Sequence, residues 1–228
     1  RLPMPKHSRR FATAKTKSVE GPQDIERALE ILESFPKAKF DETVELCIRL
    51  GVDPKMSDQQ VRGAISLPHG IGKTLRVVAF AEGPKADEAR DAGAVEVGSA
   101  DLAKKISDGW MDFDVAVATP DMMRHVGRLG KVLGPQGKMP IPKAGTVTMD
   151  IGNTVREFAA GKIEFRLDTG GNLHAPMGKR SFSRDKLADN INHFIRNLEG
   201  LRPNSSKGQY MVKATLSSTM SPGVQVKL

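Results

Sequence analysis

The chain has 228 residues, 39% of them hydrophobic, with 35 Lys and Arg against 27 Asp and Glu, a net charge of +8 and a pI near 9.6. That length suits one large domain or two modest ones. No run approaches the roughly 18 apolar residues of a membrane span, no secretory signal is visible, and the single Cys47 excludes an internal disulfide and every multi-cysteine zinc site. His7, His69, His125, His174 and His193 form no i, i+4 pair, so neither a metal motif nor a cofactor is expected. The basic excess fits a polyanionic partner, or simple solubility.

The distribution of charge is informative. Residues 71–160 hold 12 basic and 12 acidic residues, whereas the two flanks together hold 23 basic and 15 acidic, so the whole excess lies in the chain ends. The first 19 residues carry six Lys or Arg and no acid, with Pro3 and Pro5 among them. This reads as a basic arm able to follow a phosphate backbone, or as the remnant of a targeting peptide. Met4 hints at an internal start, with Arg1, Leu2 and Pro3 as an extension.

Next comes GPQDIERALEILESFP, a helix with Ile25, Ala28, Leu29 and Leu32 on one face and Pro22 and Asp24 at its opening. In KFDETVELCIRL strict alternation predicts a strand. Val44, Leu46, Ile48 and Leu50 face one way; Asp41, Thr43, Glu45, Cys47 and Arg49 face the other. RGAISLP reads as a further strand. The rhythm then changes to TLRVVAFA (strand), PKADEARDAGA (helix), VEVG (strand), ADLAKKISDG (helix), FDVAVA (strand) and PDMMRHVGRLGKVLG (helix). Short apolar strands alternating with helices mean a parallel sheet covered on both faces. KIEFRLD and GNLHAPMG are strands, and RDKLADNINHFIRNLEG is a helix with Leu187, Ile191, Phe194, Ile195 and Leu198 on one face and Gly200 as its stop. The strand QYMVKATLSST and the stretch GVQVKL close the chain.

The predicted fold is therefore α/β in two domains. Residues 1–70 and 161–228 form a discontinuous α+β domain, and residues 71–160 an inserted Rossmann-like parallel α/β domain. The junctions fall in HGIGK and AAGK, with Gly70, Gly72 and Gly161 as expected hinge points. A phosphate loop is not credible at GIGKT, because Leu67 stands where such a loop needs glycine. The Gly-, Pro- and Lys-rich stretch 127–145 reads as a solvated loop or as an accessory anion surface. There is no G-x-S-x-G, no evident Cys–His arrangement and no patterned carboxylate pair, so no catalytic residue is assigned. The competing reading, a nucleotide-dependent enzyme built on the middle domain, needs a phosphate loop after TLRVVAFA. That strand leads instead into EGPKADE, which is acidic and has one glycine.

In the final strand Tyr210, Val212, Ala214 and Leu216 share one parity, while Met211, Lys213, Thr215, Ser217 and Thr219 share the other. A strand face of small hydroxyls fits the wide, shallow minor groove of A-form RNA, where it exchanges hydrogen bonds with 2′-hydroxyls. It equally fits an ordinary solvent face, since Thr favours strands. Nine Phe, one Trp and one Tyr are too few for a row of stacking rings on single-stranded RNA.

Several long strings resemble the family of ribosomal protein L-one, the mobile side-stalk protein of the large ribosomal subunit, in its bacterial branch: MPKHSRRF, AKFDETVEL, DPKMSDQQVRGAISLPHGIGK, GWMDFDVAVATPDMM, LGPQGKMPIPKAGTV, AGKIEFRLD and STMSPGV. The resemblance implies a two-domain structural protein, not an enzyme, without small-molecule substrate or membrane contact. Its partners would be the stalk of large-subunit ribosomal RNA, deacylated transfer RNA leaving the exit site, and the messenger RNA of its own operon, whose translation it would repress. It leaves both a cytoplasmic and an organellar ribosome open. Carried over by motif, the RNA-binding residues are Lys39, Phe40, Thr43 and Glu45, then Ser217, Thr219, Met220 and Ser221, and Arg166 and Lys213 are counted with them. Parity independently puts Thr43, Glu45, Ser217 and Thr219 on polar faces, but puts Phe40 among the core positions. Two residues depart from the family pattern: Ser221 stands where it has glycine, which bears on how closely backbone approaches RNA, and Ile141 where it has Asn between two prolines.

Overall fold

The computed structural model describes residues 8–228. Along the chain run α1 (Arg9–Lys17), α2 (Ile25–Ser34), β1 (Thr43–Leu50), β2 (Arg62–Ser66), β3 (Val77–Phe80), α3 (Pro84–Asp91), β4 (Glu96–Gly98), α4 (Ala100–Ser107), β5 (Val115–Ala118), α5 (Met123–Val126), α6 (Gly130–Leu133), α7 (Ile151–Ala159), β6 (Lys162–Arg166), β7 (Asn172–Lys179), α8 (Arg184–Gly200), β8 (Met211–Ser218) and β9 (Val224–Val226). They divide into two compact units. Unit 1 takes the chain up to Val61, Leu67–Gly72 and Phe165–Leu228; unit 2 takes Arg62–Ser66 and Lys73–Glu164. The chain thus changes unit four times, after Val61, Ser66, Gly72 and Glu164. The change after Gly72 falls within HGIGK and that after Glu164 lies two residues past AAGK; the earlier exchange at Arg62–Ser66 is not expected from sequence, and it arises because β2 pairs with β6 and leaves the first unit to do so.

Unit 1 is a four-stranded antiparallel sheet in the order β7-β1-β8-β9. Its two central strands come from opposite ends of the chain. One face buries Val44, Leu46, Ile48, Leu173, Ala175, Ala214, Leu216 and Val224. That face is covered by the apolar stripes of α2 (Ala28, Leu29, Ile31, Leu32) and α8 (Leu187, Ile191, Phe194, Leu198). The period-two pattern of β1 and the 3.6-residue pattern of the helices are what allow this single shared core. Pro176 sits in β7, an edge strand, where the missing N–H is tolerated. The expected basic arm is helical from Arg9 onward: Ser8 caps α1 by accepting from the Phe11 amide at 3.2 Å, and Lys15 and Lys17 lie in its last turn, where the helix dipole favours cations. The rest of the arm, with Met4, lies outside the described residues.

Unit 2 centres on a parallel sheet in the order β4-β3-β5. Val78, Phe80, Ala116 and Ala118 pack with Leu102 and Ile106 of α4 and with Val126, Leu129 and Leu133; Val77, Ala79 and Val117 pack with Ala86 and Ala89 of α3 and Ile151, Val155 and Phe158 of α7. Both faces are covered, which is why the strands are apolar throughout. Two details differ from expectation. The run Pro120–Leu133 is not one helix but alternating 3₁₀ and α turns, broken at Gly127 and Gly130, residues that weaken helix interiors. Helix α7 is absent from the elements predicted by periodicity. Asp150 opens it by accepting from the Asn153 amide at 3.3 Å, and its buried stripe includes Gly152 and Thr154, which hide the apolar period.

The core face of α8 holds one polar residue, Asn190, which periodicity does not pick out, whereas Ile195, expected on that face, is only partly buried. Asn190 is fully buried, donates to the carbonyls of Gly70 (3.0 Å) and Met177 (2.8 Å) and accepts from the His69 amide (3.1 Å). It ties the segment Leu67–Gly72 to unit 1. Substituting Asn190→Leu fills the space but leaves these backbone groups without partners, and should cost about 2–4 kcal/mol in urea unfolding followed by far-UV circular dichroism. An unchanged midpoint would mean that the three bonds contribute nothing net.

Candidate nucleic-acid interface

The face of the unit 1 sheet opposite the helices is polar and open. β7 contributes Asn172, His174 and Pro176; β1 Thr43, Glu45, Cys47 and Arg49; β8 Lys213, Thr215 and Ser217; β9 Gln225, each partly or fully exposed. Pairing sets them in rows. Glu45 lies between Pro176 and Ser217, Cys47 between His174 and Thr215, and Arg49 between Asn172 and Lys213. Thr215 is itself opposite Gln225. A β-bulge interrupts the β1–β8 register between Arg49 and Leu50, so Val212 is unpaired and exposed despite its core parity.

At one end of this face the backbone of β1 meets the turn after β8. The Thr43 amide donates to Thr219 Oγ1 at 3.0 Å, the Thr219 amide donates to the Thr43 carbonyl at 3.1 Å, and Lys179 Nζ donates to Thr43 Oγ1 at 2.9 Å. Because Thr43 Oγ1 already accepts, its own proton is free to point to a ligand. Thr219 is exposed, but its oxygen is committed to Thr43. The side-chain hydroxyls of Ser217 and Thr215 have no hydrogen-bond partner among the described residues.

Beneath this end lies a residue pair that sequence reasoning missed. Glu42, on the core parity of β1, is buried at 2% exposure against Arg180 at 5%. Glu42 accepts from the Ala38 amide (2.7 Å), Arg180 Nη1 (3.3 Å), the Met220 amide (3.4 Å) and the Ser218 hydroxyl. Arg180 Nη2 donates to the carbonyls of Leu32 (3.0 Å), Glu33 (3.1 Å) and Phe35 (2.6 Å), closing the C-terminus of α2, which has no basic residue in its own last turn. Burial pushes the Glu42 pKa up. The Ser218 hydroxyl, the Ala38 and Met220 amides and the Arg180 charge together outweigh it, so the carboxyl is held below its usual range. The available signal was a lone carboxylate on an apolar parity, which demands a buried partner.

This pair shapes the loop carrying Lys39 and Phe40 and the turn carrying Thr219, Met220 and Ser221. Phe40 and Met220 are exposed at 54% and 49%. The core reading of Phe40 is therefore corrected: β1 begins only at Thr43, so the alternation does not extend back to it. Lys39 is exposed. Ser221 has no left-handed backbone, and its hydroxyl accepts from the Ser218 amide at 2.9 Å, so it closes the turn itself and needs no glycine. Ile141 is held through its backbone by buried Thr146 (2.7 and 3.1 Å), an arrangement independent of its side chain. Arg166 is exposed on β6, outside the four-stranded sheet, and pairing does not bring it to this face. Of the glycines expected at hinges, Gly70 is bound by Asn190, Gly72 packs against Lys179 and Phe182, and Gly161 is buried at φ 107 just after α7.

The sheet also builds a Cys–His pair that the sequence did not reveal, since its members lie 127 residues apart: Cys47 Sγ is 3.8 Å from His174 Nε2. It is not a nucleophile's setting. Burial, Glu45 and Asp168 all push the thiol pKa up, away from the reactive thiolate. His174 Nδ1 instead lies 3.2 Å from Glu45 Oε1, and its Nε2 lies 4.0 Å from Asp168 Oδ2. No group of His, Cys, Asp and Glu able to hold a metal ion occurs among the described residues.

A model of the ribosomal protein L1p/L10e family matches residues 32–222. The large ribosomal subunit protein uL1 of Kosmotoga olearia is 49% identical over 225 residues, covering 98% of this chain and 97% of the relative. Those of Chlamydia caviae and Chlamydia abortus are 52% and 53% identical over 224 residues, with the same coverage.

Removing the Glu42 charge tests the buried pair. Glu42→Gln strands Arg180 and should destabilise the protein by about 3–5 kcal/mol. Because the folded-state pKa is lowered, the carboxylate's contribution is present above the unfolded-state value of roughly 4.3 and is lost as pH falls through the folded-state value. Urea midpoints between pH 7 and pH 3 should therefore fall less steeply in the variant than in the parent. Parallel curves would show that Glu42 is not a source of the acid sensitivity.

Proposed function

The chain belongs to the ribosomal protein L1p/L10e family and is a constituent of the large ribosomal subunit, and from that premise we propose that unit 1 binds the folded stalk region of large-subunit ribosomal RNA through the open face of its sheet. The observation that carries this reading is the set of hydroxyls on a flat strand surface, Ser217 and Thr215 unpartnered and Thr43 with its proton free, beside exposed Phe40 and Met220. A 2′-hydroxyl both donates and accepts, and so do these side chains. Glu45 fits such a face because its carboxylate oxygens, one of them 3.2 Å from His174 Nδ1, can accept hydrogen bonds from 2′-hydroxyls. The basic excess of the chain ends supplies the salt-sensitive background.

Two finer roles accompany this reading. A face that reads shape through hydroxyls would bind a similarly folded segment of the protein's own messenger RNA, which supports translational repression. Assistance to deacylated transfer RNA leaving the exit site rests on the family resemblance alone.

Ser217→Ala is the cleanest test, since Thr219→Val would also orphan the Thr43 amide. Loss of the Ser217 hydroxyl should weaken binding to a stalk-RNA fragment by about 1–3 kcal/mol, with the slope of log affinity against log salt unchanged. Lys39→Ala should instead flatten that slope by about one unit. If Ser217→Ala binds like the parent at every salt concentration, the hydroxyl face is not the reading surface.

A further inference from the structure

At the end of the sheet face away from Thr43, Arg49 of β1 stands directly opposite Lys213 of β8. Two cations in register on neighbouring strands repel each other, and a sheet gains nothing from the pairing. Both are exposed, and neither makes an ion pair or side-chain hydrogen bond with any described residue. The acids that could neutralise them are committed elsewhere. Glu45 faces His174, and Asp168 accepts from the Asn172 amide (2.7 Å), the Gly170 amide (2.8 Å) and Asn172 Nδ2 (3.3 Å). The bulge at Val212 adjoins the pair, a feature that bends a strand and re-aims its side chains.

We infer that Arg49 and Lys213 together bind a backbone phosphate of RNA. The inference rests on the reading of the sheet face as RNA-binding and fixes the reach of that contact. Thr43 and Arg49 are six residues apart on β1, about 20 Å along an extended strand. Between them lie the hydroxyls of Ser217 and Thr215; Lys179 stands opposite Thr43 and bonds its hydroxyl, and exposed Lys39 lies in the loop that leads into β1. Cations at both ends and hydroxyls in the middle match the chemistry of an A-form minor groove, in which 2′-hydroxyls lie between two phosphate strands. Arg49 supplies a planar fork for phosphate oxygens and Lys213 a point charge. The anion removes the repulsion that the free protein carries.

The experiment titrates the full-length chain against a stalk-RNA fragment and an unrelated duplex RNA at several salt concentrations. Arg49→Ala and Lys213→Ala should each flatten the log–log salt slope by about 0.7–0.9 and the double variant by about twice that. The preference for stalk RNA over the duplex should persist. Thermal stability should not fall in any of them. Arg49→Glu is the decisive variant. It pairs with Lys213 across the strands, so its melting temperature should equal or exceed that of the parent while its RNA affinity drops below that of Arg49→Ala. If the double variant keeps the parent's slope and affinity while the parent still prefers stalk RNA, the phosphate clamp is wrong and the hydroxyl reading stands. If the parent shows no preference for stalk RNA, both fall.

Discussion

The buried ion pair between Glu42 and Arg180 is the constraint on which unit 1 depends. It joins four segments that are remote in sequence: the end of α2, the loop 36–42, the start of the turn after β7, and the turn after β8. An ion pair of this kind adds little net stability over well-packed apolar side chains, because both charges must be desolvated. Its effect is positional. Glu42 is saturated by two amides, a hydroxyl and a guanidinium, and each donor fixes the path of a different loop. The exposed Phe40 and Met220 are held out in solvent by backbone bonds made beneath them. A surface of this sort is preorganised, so less ordering is left for the moment of binding.

The open sheet face divides labour by position. Its hydroxyl rows carry no charge and can discriminate geometry, whereas its cations answer to any polyanion and weaken with salt. The middle row shows how a carboxylate is accommodated there. Glu45 is flanked by His174, whose position across the β1–β7 pairing is set by register rather than by chain proximity.

The range of the forces involved decides how much of the fold was legible in the sequence. The core parity of β1, the apolar stripes of α2 and α8 and the parallel rhythm of unit 2 are local patterns, and they appear in the structure where periodicity put them. So do the polar positions of Thr43, Glu45 and Ser217. The misses are of two kinds. Helix α7 carries glycine and threonine at inward positions, so its apolar period is obscured, whereas the run after Pro120 keeps an apolar helical period but is broken at Gly127 and Gly130. Glu42 with Arg180, Cys47 with His174, Asn190 with Gly70, and the unit exchange of β2 are pairings between distant residues that no local pattern encodes. Phe40 shows the limit of parity itself, since alternation holds only where a strand exists.

One consequence of the topology concerns synthesis. Thr43 and Thr219, which bond each other at the tip of the sheet, are 176 residues apart. β1, one of the first strands to be translated, has its partner β8 among the last. Unit 2 draws its three parallel strands and their helices from the continuous stretch Lys73–Glu164 and can collapse while translation continues. Unit 1 cannot: its central pairing waits for the final strands, and long-range antiparallel closure is slow. A chain released before β8 therefore lacks the assembled four-stranded face, and the presence of that face becomes a mark that translation has run through the last strands of the fold.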